Sequence, residues 1–135
     1  MERQKTVLDA SVAMKWFVEE PLSNKARRLI QDHRNRSKEL FAPDILIYEL
    51  GNALHFKNFG LDEIKRAFHA IGDLQMRIEK PNNNLLLNAV RIAQVHSLTV
   101  YDAAYAALAE IIGAELITAD AKLSKLPSAV HLKDV

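Results

Sequence analysis

The chain has 135 residues, 49% hydrophobic and 26% charged, with a formal net charge of +1 and no cysteine; that length suits a single domain with its own core and is short for two. Near-neutral charge gives no compositional case for nucleic-acid binding, and the missing cysteine excludes disulfides and thiolate metal sites, leaving carboxylate and imidazole as candidate ligands. The first residues turn polar too early for a signal peptide and no apolar run is long enough to span a bilayer, so a cytoplasmic protein is the expectation.

Thr6-Val7-Leu8 reads as a first buried strand ending at Asp9. Ser11 is the predicted N-cap of a short helix from Val12 to Glu19, whose Met14, Trp16, Phe17 and Val18 carry more large apolar surface than one packed face needs. Pro21 closes it. From Leu22 to Arg36, helical spacing aligns Leu22, Ala26, Leu29, Ile30 and His33. Leu40-Phe41-Ala42 predicts a strand, and Pro43 predicts the start of a helix running from Asp44 to Phe56. Asp62 is the predicted cap of the next helix, which buries Ile64, Ala67, Phe68, Ile71 and Leu74 and is weakened by Gly72. Pro81 to Asn84 is a loop, and Leu85 to His96 a helix with Leu86, Ala89, Val90 and Ala93 inward. A polar-capped turn at Leu98 then leads into an alanine-rich helix that stops at Gly113. The strand Glu115 to Thr118 follows, with Asp120 just past it; Lys122 to Leu126 predicts one helical turn and Ala129 to Leu132 a last edge strand. Short apolar strands separated by helices predict a parallel sheet covered by helices on both faces.

Four acids stand out against this frame. Asp9 and Asp120 each follow a buried strand, where a turn or cap competes with a metal-ligand role. Glu49 lies three residues after Leu46 and four before Ala53, so it shares a helix face with apolar residues. A carboxylate there needs a partner, either a basic side chain or a cation, because leaving it unpaired costs several kcal/mol. Asn52 lies on nearly the same face. Asp102 shares a face with Tyr105, Ala106 and Ala109 and gains from the helix dipole, as an ordinary first-turn acid also would. Together the four carboxylates form a set that repels itself unless a cation neutralises it. Oxygen ligands without cysteine or a histidine cluster point to Mg²⁺ or Mn²⁺ rather than zinc.

The segments that carry these acids resemble the motifs of the PIN domain, and within it the VapC-type toxins of toxin–antitoxin pairs. VLDASVAMKWFVEE is similar to the first motif with Asp9 on its acid, and PDILIYELGNAL to the second with Glu49. LTVYDAAYAALA is similar to the third with Asp102, and ELITADAKL to the fourth with Asp120 on the acid and Thr118 on the hydroxyl position. The resemblance covers nearly the whole chain. It implies a three-layer α/β/α sandwich, metal-dependent endoribonuclease activity, a homodimer or higher homo-oligomer, and inhibition by a cognate antitoxin protein. Some members carry a further acid soon after the fourth motif; Ala121, Lys122 and Leu123 supply none here, which puts a second metal in question.

On this reading Asp9, Glu49, Asp102 and Asp120 hold one or two Mg²⁺ or Mn²⁺ ions, and a water attacks the RNA phosphorus in line. Ser11, Thr118 and Asn52 orient carboxylates or touch phosphate, with plain capping equally open for Ser11 and a plain structural role equally open for Asn52. Lys15, Lys122 and Lys125 are candidates for the cleft rim, with Arg27 and Arg28 further out. Met14, Trp16, Phe17 and Tyr48 either pack in the core or line a groove for an antitoxin helix or second subunit. Two alternatives compete. One is a PIN-like domain that binds RNA or a partner without catalysis. The other is a receiver-like phospho-acceptor domain, disfavoured because Asp9-Ala10-Ser11 has no acid pair and Glu49 sits on a helix. Four glycines without a cluster exclude a P-loop or dinucleotide fold.

Overall fold

The computed structural model describes residues 3–135. Its chain runs β1 (Gln4–Leu8), α1 (Ala10–Ala13), a 3-10 turn (Met14–Trp16), α2 (Ser23–Arg34), β2 (Lys38–Pro43), α3 (Ile45–Phe56) and α4 (Leu61–Leu74). It continues through β3 (Arg77–Glu79), α5 (Asn83–His96), α6 (Val100–Ile112), β4 (Glu115–Thr118), a 3-10 turn (Leu123–Lys125), β5 (Ala129–His131) and a last 3-10 turn (Leu132–Asp134). The five strands form one parallel sheet in the order β3-β2-β1-β4-β5.

That order fixes the layers. The crossovers from β1 to β2 and from β2 to β3 step the same way across the sheet, so right-handed connections place α1 to α4 on one face. The crossover from β3 to β4 steps back past β1 and places α5 and α6 on the other. The result is the α/β/α sandwich expected from the sequence. The core lies on both sides of β1 and β4, with Val7, Leu8, Leu40, Leu50, Ala107, Leu108 and Leu116 all buried.

Several local expectations need correction. The cap of α1 is Asp9, not Ser11: the Asp9 side chain accepts from the Val12 N–H, and the chain leaves the α-helix after Ala13 for a 3-10 turn. Pro43 ends β2 instead of opening α3. Gly60, not Asp62, caps α4, and the Glu63 carboxylate accepts from the Gly60 N–H at 3.0 Å. In α4, Phe68 remains 38% exposed, and in α5 the inward stripe is Leu85, Ala89, Ile92 and Ala93, with Leu86 44% exposed. The strand β3 has no counterpart in the sequence reading. Three residues, Arg77-Ile78-Glu79, are too few to display an alternation, and pairing with β2 makes them a strand.

Candidate active site

In a parallel sheet every strand ends on the same edge, and a helix that follows a strand begins there. Asp9 directly follows β1 and Asp120 lies two residues past β4, so both stand on the carboxyl edge. Glu49 occupies the second turn of α3, which starts as β2 ends, and Asp102 the first turn of α6, which runs back toward the start of β4. Strands β1 and β4 are neighbours, and from them the chain winds off in opposite directions. The crevice outside the strand ends at such a switch point is where open α/β sheets bind ligands. Asp9, Glu49, Asp102 and Asp120 line one cavity of about 140 Å³ there, together with Ser11 and Tyr105.

Asp9 is the most enclosed, 4% exposed. One carboxylate oxygen accepts from Ser11 Oγ at 2.5 Å and from the Val12 N–H at 3.3 Å, and the other accepts from Thr118 Oγ1 at 2.5 Å. Ser11 Oγ in turn accepts from the Ala119 N–H at 2.9 Å, and Thr118 Oγ1 from the Asp120 N–H at 2.9 Å. Ser11 and Thr118 thus lace the ends of β1 and β4 together around one carboxylate. Despite these donors, burial pushes the Asp9 carboxyl up to about 6 from an ordinary 3.8, with the Asp120 charge adding to the rise.

The helix-borne acids are half-buried. Burial raises the Glu49 carboxyl, and the neighbouring Asp102 charge raises it further, against a hydrogen bond donated by the Tyr105 hydroxyl to Glu49 Oε1. Burial and the Asp120 charge likewise raise Asp102. Thr99 caps α6 by accepting from the Asp102 N–H at 3.1 Å, which fixes where that first turn begins. Asp120 is exposed, and its Oδ1 accepts from the backbone of Lys122 at 2.7 Å and Leu123 at 3.0 Å, so one oxygen holds the turn.

Two expected neighbours lie elsewhere. Asn52 lines a separate groove between α3 and α4 rather than the acid cavity. Lys15 is not on the rim: its ammonium lies 3.7 Å from Glu20, which also draws Lys57 to 3.8 Å. Arg27 pairs with Glu19 at 3.0 Å. Lys122 is on the acid side, with Nζ donating to the Ser97 carbonyl at 3.1 Å and its charge acting on Asp102. Tyr105 lines the cavity beside the four acids, a place the motifs alone did not single out. Its signal was a phenol at helical spacing from Asp102 on a buried face of alanines and Leu108, where a hydroxyl requires a partner.

The donor set suits a hard divalent cation, since it is all carboxylate and three of its members resist carrying charge where they stand. The carboxylates ring a cavity and do not close into a cage: among the described residues no three His, Cys, Asp or Glu side chains form a ready-made ligand cluster. Mg²⁺ keeps several of its waters and needs only one or two carboxylates directly, so this spacing fits a hydrated ion.

A parallel sheet in this order, with acids gathered over its switch point, defines a PIN-like α/β/α protein. The chain belongs to the PIN domain family, whose model matches residues 6–128. It is 34% identical over 132 residues to Ribonuclease VapC3 of Pyrobaculum aerophilum, covering 93% of this chain and 98% of that one. The fold is similar to the crystal structure of PAE2754 from Pyrobaculum aerophilum (TM-score 0.71, 26% identity, 97% of this chain and 85% of that one). It is also similar to a chain of a toxin–antitoxin complex from Klebsiella pneumoniae (TM-score 0.73, 16% identity, 94% and 97%).

Proposed function

We propose that the chain is a metal-dependent endoribonuclease, the toxin of a toxin–antitoxin pair. The observation that carries this reading is the convergence of Asp9, Glu49, Asp102 and Asp120 on one cavity at the switch point, in a chain 34% identical to a ribonuclease. The four carboxylates would hold Mg²⁺ or Mn²⁺, in part through water. Bound there, the cation supplies an electrophile for a phosphate oxygen and lowers the pKa of an attacking water.

The chain's residues do the rest. Asp9, fixed by Ser11, Thr118 and the Val12 N–H, is the rigid floor of the site. Burial raises the Glu49 and Asp102 carboxyls, and a more basic carboxylate is the better proton acceptor from water. Asp120 stands at the exposed mouth, its Oδ1 holding the turn and its Oδ2 without a hydrogen-bond partner among the described residues. Lys122 stands beside Asp102, where an ammonium can meet the RNA backbone.

The partner reading rests on the resemblance to toxin–antitoxin proteins and on apolar surface outside the acid cavity. A groove of about 800 Å³ lies between α3 and α4, lined by Ile47, Tyr48, Gly51 and Phe68 among others. A second, of about 210 Å³, lies between α2 and α4 and includes Trp16, Phe17 and Ile71. Such grooves suit an amphipathic antitoxin helix or a second copy of the chain.

Cleavage of RNA in Mg²⁺ or Mn²⁺, in EDTA, and by Asp102→Asn and Glu49→Gln tests the enzyme reading. Metal-dependent cleavage should fall at least a hundredfold in either variant; cleavage that persists through chelation and both substitutions would refute it.

A further inference from the structure

The buried residues of α6 are four alanines (Ala103, Ala106, Ala107 and Ala109), Leu108 and Tyr105, and Tyr105 is the polar side chain among them. It is 1% exposed, yet its hydroxyl lines the acid cavity. A phenol so enclosed must find an acceptor inside the protein. It finds Glu49 Oε1, across the cavity on α3. The Tyr105 hydroxyl carries the one proton of this pair, since an ionised carboxylate only accepts. The direction of the bond is therefore fixed: the phenol donates and the carboxylate accepts.

We propose that Tyr105 is a positioning residue that sets the orientation of the Glu49 carboxylate, tying Oε1 to the fold and leaving Oε2 for a divalent cation or its water. The proposal rests on the cation reading given above. Three features support it. Oε2 of Glu49 has no hydrogen-bond partner among the described residues, whereas both oxygens of Asp9 are engaged. The bond joins residues 56 positions apart, so it links the two helices that carry acids. Glutamate also has one more rotatable bond than aspartate and a broad final torsion, so among the four acids Glu49 has most to lose from a missing restraint. Partners behind a metal's ligands typically contribute ten- to a hundredfold in affinity by fixing ligand orientation.

The test is Mn²⁺ binding by the full chain, measured calorimetrically for the wild type, Tyr105→Phe, Glu49→Gln and the double variant. Phenylalanine keeps the ring in the core and removes only the hydroxyl. Tyr105→Phe should weaken Mn²⁺ binding about tenfold or more. In the Glu49→Gln background the same change should have almost no further effect, because its route to the ion is already cut. A purely structural tyrosine would lower the unfolding temperature while leaving Mn²⁺ affinity unchanged, and that result overturns the proposal. An equal loss in both backgrounds also overturns it, since Tyr105 would then act by another route. A wild type that binds no Mn²⁺ removes the cation reading itself, an outcome distinct from the other two. Should Tyr105→Phe fail to fold, proton NMR on the wild type decides. A slowly exchanging Tyr105 hydroxyl proton with a cross-peak to Glu49 should shift on Mg²⁺ titration, and an unmoved resonance contradicts the proposal.

Discussion

Asp9 is a carboxylate with three donors that nevertheless resists ionising. Its folded pKa of about 6 lies above the ordinary 3.8, so the folded chain holds this proton more tightly than the unfolded chain. Without metal, the Asp9 contribution is complete below about pH 4 and is lost as pH rises to about 6. The loss amounts to roughly 3 kcal/mol. Urea denaturation in chelator across that window should show the decline, and Mn²⁺ should reverse it above pH 6. Asp9→Asn should remove the Asp9 share of the dependence, leaving the part due to Glu49 and Asp102, and, in chelator at pH 7.5, make the fold more stable than the wild type while abolishing RNA cleavage. A variant less stable than the wild type under those conditions would mean that Asp9 is not held at an electrostatic cost. The four acids were legible because each sits beside an apolar element, a place where an unpaired charge is expensive. Their partners were less so. Ser11 and Thr118 meet Asp9 only because β1 and β4 pair, a contact spanning more than a hundred residues of sequence. Lys15 looked available by its closeness to Asp9 in sequence, but the 3-10 turn after α1 aims it at Glu20.

Elements were legible where the sequence carries its own punctuation. Gly113 ends α6 in a left-handed conformation, φ 67°, with nothing within 4 Å of an added Cβ. Gly113→Ala should therefore cost only the backbone penalty, about 1 kcal/mol. Gly72 is also open around an added Cβ but lies inside α4 without a positive φ. There the same substitution should stabilise by roughly 0.5–1 kcal/mol. The opposite signs, read from paired urea titrations, test whether the two glycines differ as the backbone says. Thr99→Ala should cost about 1 kcal/mol by removing the α6 cap, and should lower activity because Asp102 begins on that turn. What the sequence did not disclose at this scale was decided by tertiary packing. A three-residue β3 exists through its pairing with β2, and the inward face of α5 is set by its packing against α6.

At the scale of the whole molecule, the sandwich was readable from alternating strands and helices, but the strand order was not. That order matters, because it makes β1 and β4 neighbours and turns four acids scattered over the chain into one cavity. The outside of the molecule has a second feature. Tyr48 is 77% exposed, and Phe56, Leu61, Leu87 and Tyr101 are also well exposed. So much large apolar surface fits a chain that works with partners. Sedimentation of the isolated chain should show a dimer or larger species, and a monomer at all concentrations would contradict that. Expressed alone in cells, the wild type should arrest growth and Glu49→Gln should not; unimpaired growth with soluble wild-type protein would contradict the toxin reading. The most direct test of the central claim is a crystal grown with Mn²⁺ and examined by anomalous scattering. A cation held by these carboxylates gives a peak within the cavity bounded by Asp9, Glu49, Asp102 and Asp120, lost in Asp102→Asn. A crystal saturated with Mn²⁺ that shows no peak there would contradict it.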